Sequence, residues 1–141
     1  MEKIRISRGF LQRALGEIPD LYHIDHGDVL PVGSPLPSEY LKGYQWLADI
    51  GSLEVLYLGI QFILASENNN AGEFSMSEVE YSDAEMRHLL RELKASWFPL
   101  PQPELDALLP FVSIISVNQT LNQWIENDLP KLRAGLPKLL T

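Results

Sequence analysis

Apolar residues recur at helical spacing in several stretches of the chain, separated mostly by proline and glycine. Phe10, Leu11, Ala14, Leu15 and Ile18 fall three or four apart. They predict a helix entered from a short strand, Lys3 to Ser7, and stopped by Pro19. Residues 19–37 hold Pro19, Pro31, Pro35 and Pro37 with Gly27 and Gly33, and read as a long irregular connection. Connections that long inside compact domains are often functional. Ser38 then reads as the N-cap of a helix with Leu41, Tyr44, Leu47 and Ala48 on one face and Gly51 as its stop.

Residues 53–64 fit two periods. Leu56, Leu58, Ile60, Phe62 and Leu64 alternate as in a strand, whereas Leu53, Leu56, Ile60 and Ile63 fit a helix. The strand reading is preferred because the Asn-rich run from Glu67 to Gly72 supplies hairpin-turn chemistry. Glu73 to Tyr81 would then return as a polar edge strand. The clearest element spans 83–98: Ser82 and Glu85 form a capping box, and Met86, Leu89, Leu90, Leu93 and Trp97 make one apolar face. Pro99 ends it, and a short helix, Glu104 to Leu109, follows. Phe111 to Val117 is β-branched and uncharged and reads as a buried strand. Asn118 or Thr120 caps a last helix that Pro130 must kink or divide. Leu-Pro-Lys-Leu occurs twice, at 129–132 and 136–139.

These elements predict an α+β fold: about four helices packed on a small three- to four-stranded sheet, in a single globular domain spanning 1–141. An all-α fold is the alternative if 53–65 is helical. The core is expected around Leu89, Leu93, Trp97, Ile114, Val117, Leu121 and Trp124, with Trp46 also on an apolar face.

Composition supports a folded chain. The 141 residues are 45% apolar and 21% charged, near globular averages, so disorder is not expected. There is no cysteine, which excludes a disulfide framework, a thiol nucleophile and cysteine-ligated metal, and fits a reducing, cytoplasmic setting. The start, Met1 to Arg8, is not followed by the apolar run of a secretory signal. Leu53 to Ala65 is the most apolar stretch and is shorter than the roughly 20 residues a bilayer requires. No membrane association is expected.

Charge alters the picture more. The formal net charge of −8 is unevenly placed: residues 1–13 sum to +3, residues 14–86 to −12 and residues 87–141 to +1. An acidic middle repels phosphates and argues against direct nucleic-acid binding. It favours a basic protein partner, since complementary potentials steer association. Glu67, Glu73, Glu78, Glu80 and Asp83 are the expected contact group, because a hairpin followed by a helix start would bring them together. Small inhibitors and immunity proteins that neutralise a basic toxin or nuclease share this profile, as do adaptors. A solvated acidic surface that only aids solubility would look the same.

Candidate chemistry is sparse. Asp20 to Asp28 holds two imidazoles and three carboxylates, so His23, Asp25, His26 and Asp28 form a candidate site for a divalent metal such as zinc, manganese or iron. A metal-dependent hydrolase is therefore the alternative function. The spacing differs from the helical motif with two His four apart, only His88 remains as a third imidazole, and a polar loop whose Asp residues make local turns is the preferred reading of the stretch. The Asn-rich loop lacks the Asp spacing and closing Glu of a calcium loop. G-x-S-x-G, G-x-x-x-x-G-K-[ST] and G-x-G-x-x-G are all absent. Pairs such as Glu78/Glu80 and Asp83/Glu85 do not stand out in so acidic a region. A non-catalytic binding module is the preferred expectation.

Overall fold

The computed structural model describes residues 3–76 and 80–141. Strand β1 (Ile4–Ser7) runs directly into helix α1 (Arg8–His26), and Ser7 caps the junction by accepting the Phe10 N–H at 3.2 Å. Helix α1 does not stop at Pro19 but passes through it. The missing amide bond is tolerated because Ile18 and Pro19 are buried, and the Pro19 carbonyl takes the Tyr81 hydroxyl at 3.2 Å. The helix ends at Gly27, whose φ of 73° lets its N–H reach the His23 carbonyl. The irregular connection is thus shorter than expected.

A 3-10 turn (Ser38–Leu41) and helix α2 (Tyr44–Asp49) replace the single helix expected after Ser38, with Gly51 at φ 70° as the stop. Helix α3 (Leu53–Ala65) occupies the stretch read as a strand. The reason is burial: all six residues from Val55 to Ile60 are buried. A helix enclosed on nearly every side carries apolar residues all round, so its sequence also contains a period of two. The close approach of α1 and α3 needs Gly59, where a Cβ would lie 2.6 Å from Leu11 Cδ2.

The hairpin is accordingly absent. Ala71–Phe74 forms a 3-10 turn, and part of the expected returning strand lies outside the described residues. Helix α4 (Asp83–Trp97) carries the expected capping box, with both reciprocal bonds present. Helix α5 (Pro103–Asp106) precedes strand β2 (Val112–Ile115), which is only partly buried. Thr120 caps α6 (Leu121–Asn127), and Pro130 sits in the first turn of α7 (Leu129–Ala134), dividing the last helix as expected.

Strands β1 and β2 pair in parallel, Ile4 beside Val112 through Ser7 beside Ile115. They form the one sheet among the described residues, two strands where three or four were expected. The protein is therefore helix-rich with a minor sheet. Leu89, Leu93, Trp97 and Trp124 are buried as expected, with Trp124 against Phe10 at 5.1 Å between ring centroids. Ile114, Val117 and Leu121 pack at the core margin, and Trp46 is exposed. Among the described residues no helix is long and apolar enough to cross a membrane.

Candidate functional site: carboxylates of the acidic middle

The acidic middle contains carboxylates of two kinds, those with an intramolecular donor and those without. Arg87 on α4 organises the first kind. Its side chain is buried, and every part of the guanidinium is engaged. Nε bonds Asp83 at 2.9 and 3.0 Å, one terminal nitrogen bonds the carbonyls of Ile63 and Leu64, and the other bonds those of Ser66 and Asn69. A helix leaves its last carbonyls without intrahelical donors, and here a guanidinium from a neighbouring helix supplies them at the end of α3. Asp83 also accepts the Ala71 N–H at 2.7 Å. That bond, with Arg87 beside it, holds its carboxyl below the usual carboxylate range against the opposing effect of burial. The Asn-rich loop is thus folded around an Asp–Arg pair.

Of the expected contact group, Asp83 is therefore bound into the loop, and Glu73 pairs with Arg8 across from α1. Glu67 and Glu80 are exposed. Glu78 lies outside the described residues. The hairpin that was to gather these five does not form.

The His/Asp stretch lies mostly on the last two turns of α1 rather than in a loop. Asp25 accepts the Tyr40 hydroxyl at 2.6 Å, and burial together with that carboxylate raises the Tyr40 pKa well above its ordinary value. His26 stacks on Tyr22 at 4.1 Å, and Asp28 accepts the Val29 N–H at 2.7 Å. His88 is committed elsewhere: Nε2 donates to the Ser34 carbonyl at 2.5 Å, and Nδ1 accepts from Gly33 N–H at 3.5 Å. With Glu92 accepting the Leu36 N–H, it fastens the proline-rich connection along α4. Among the described residues no three His, Asp or Glu side chains come together to hold a metal ion. His23, Asp25, His26 and Asp28 share one helix end without converging.

The same helix end presents apolar side chains outward. Leu21 is 49% and Ile24 67% exposed, one turn apart on the outer face of α1. Around them in sequence stand Glu17, Asp20, Asp25 and Asp28, and no Lys or Arg occurs from residue 14 to 41. Glu17 is paired with Arg13 at 2.7 Å, but both side chains are about half exposed, so that pair contributes little. A second apolar region is an open cleft of about 470 Å³ lined by Leu41, Tyr44, Trp97, Pro99, Leu100 and Leu140. Trp97 Nε1 donates to the Leu41 carbonyl at its wall.

The outward pair Leu21 and Ile24 was legible had the helix been continued past Pro19. On a wheel with Leu15, Ile18 and Tyr22 facing inward, both residues fall off the apolar face. Nothing in the sequence marks Arg87, which looks like any cation on an amphipathic helix. No family model, no curated protein and no solved structure matches the chain.

Proposed function

We propose that the chain is a non-catalytic protein-binding module whose acidic side meets a basic protein partner, in the manner of an inhibitor, an immunity protein or an adaptor. One observation carries the reading: two large apolar side chains, Leu21 and Ile24, stand exposed on a helix end whose charged neighbours in sequence, from residue 14 to 41, are all carboxylates. Lone exposed apolar residues are ordinary, but a pair one turn apart in a segment without Lys or Arg is what a mixed apolar and electrostatic contact uses. The negative end of the α1 dipole adds to the same potential. Apolar anchors would supply affinity, and these carboxylates, with Glu67 and Glu80, would supply steering.

The test places a photo-crosslinking residue at position 24, with a control at exposed Gln123. The expected catch from the native host is a basic protein, taken at 24 and not at 123. Its association with the unlabelled chain should slow with added salt, and Leu21→Ser with Ile24→Ser should speed its dissociation. Equal capture at both positions, or partners of no particular charge, would refute the reading.

A further inference from the structure

The basic start of the chain is left unused by that reading, and the fold gives it a setting. Lys3 and Arg5 lie two residues apart at β1, so their side chains leave the same exposed side while Ile4 and Ile6 enter the core. Lys131 and Leu132, at the start of α7, face them across a hollow of about 520 Å³. The fifth lining residue is Asp128, and its Oδ2 already accepts the Gln119 amide at 2.6 Å.

Acids outnumber bases nineteen to eleven in this chain. Arg8, Arg13 and Arg87 each have a carboxylate partner. Among the described residues the other eight have none, and three of these, Lys3, Arg5 and Lys131, line one hollow together. Asp128 offsets one of these three like charges, and the repulsion among the remainder is one that the fold itself does not relieve.

We propose that this hollow binds a small polyvalent oxyanion of the diphosphate class. Arg5 presents a planar fork that matches two phosphate oxygens, and the two ammoniums act as point charges on the remaining ones. The volume is within the usual range of small-ligand sites, about 300–1,000 Å³. Leu132 offers an apolar wall for whatever carries the phosphates. The net charge of −8 disfavours a long polyanion, whose remaining phosphates would run over acidic surface, so the fit is to a compact anion and not to a nucleic-acid strand.

The probe is inorganic diphosphate at constant ionic strength, followed by amide chemical shifts and calorimetry. Saturable shifts confined to residues 3–6 and 128–132 are expected. Arg5→Gln and Lys131→Gln should each weaken binding about tenfold, equivalent to roughly 1.4 kcal/mol. Lys94→Gln, at a cation outside the hollow, should leave affinity unchanged. Because Arg5 and Lys131 are exposed and on different elements, both variants should keep the unliganded melting temperature. Three results overturn the proposal: no saturable change at millimolar diphosphate, shifts spread over every cation with Lys94→Gln equally harmful, or a poly-glutamate peptide bound more tightly than diphosphate at the same hollow.

Discussion

Replacing Arg87 with methionine keeps much of the aliphatic stem and removes the guanidinium. The Arg87 side chain bonds four carbonyls and one carboxylate, and hydrogen bonds to a charged group contribute about 1.5–3 kcal/mol each. Adding them would overstate the loss. Asn69 is exposed and Ser66 half-buried, so water replaces their lost donors, and the Ile63 carbonyl keeps a bond from the Ser66 N–H. Asp83 has a side chain 45% exposed, so its ion pair is screened. The uncompensated part is concentrated at the end of α3, and a loss of about 3 kcal/mol is expected, at the lower end of the range for removing one partner from a buried pair. Against a total stability of about 5–15 kcal/mol, that is a large fraction. With a urea slope of about 1–3 kcal/mol/M, the midpoint should fall by about 1–3 M.

Urea unfolding followed by tryptophan fluorescence measures this loss, and amide exchange locates it. The Ala71 N–H, held by Asp83, should exchange faster than amides in the middle of α4. Arg87→Lys should recover only part of the loss, since one ammonium cannot span carbonyls on both sides of the loop. A midpoint lowered by less than about 0.5 M at unchanged slope would show that water satisfies the α3 end unaided, and the reasoning would fail.

Other expectations follow from the same contacts. The pKa of Tyr40 and Tyr57 is raised by burial and by their bonds to Asp25 and Asp106, and that of Tyr81 chiefly by burial. Their folded values lie above the unfolded value near 10, so their contribution is complete below about pH 10 and is lost as the pH climbs further. Tyrosinate absorbance from three of the five tyrosines should therefore appear only together with loss of the circular dichroism signal. For Asp83 the folded value is lowered, so its contribution is present above about pH 4 and disappears on acidification; Asp83→Asn should flatten the acid limb of a stability–pH curve. Gly16→Ala would gain about 1 kcal/mol of helix propensity, but its Cβ would meet Met76 Cγ at 2.4 Å and the Phe74 carbonyl at 2.8 Å. A lower melting temperature is expected, and a higher one would mean that the 74–76 segment does not pack on α1.

Local signals in the sequence proved legible where a single side chain decides the backbone. Ser82 with Glu85, Thr120 and Gly51 each mark a helix boundary by chemistry that needs no distant partner, whereas Gly27, the true end of α1, reads in the sequence as part of an irregular connection. Pro19 misled because a breaker's cost is local while its compensation is not: the buried neighbours and the Tyr81 hydroxyl that accommodate it come from tertiary packing. Residues 53–65 were ambiguous for a related reason, since amphipathic period vanishes in a helix buried all round, and the turn-like Asn run then favoured the wrong choice. That run is a turn, but it turns around Arg87, eighteen residues beyond Asn69.

The acidic middle carries the same lesson into function. Charge counted along the sequence treats each carboxylate as available, yet the fold commits many of them. Glu54, Asp83 and Glu92 accept backbone N–H groups from other segments, Asp25 and Asp106 accept tyrosine hydroxyls, and Glu73 is paired. These side chains close loops in a chain whose connections are long and whose sheet is small. Those bonded to neutral donors keep their charge, but the hydrogen-bonding capacity left for a partner is what remains after that use, together with any apolar group beside it. On this ground Glu73 and Asp83 lose weight as contact residues, while the end of α1 gains it through Leu21 and Ile24. The same subtraction applied to the eleven cations removes Arg8, Arg13 and Arg87 and leaves eight, among which Lys3, Arg5 and Lys131 stand out because they line one hollow.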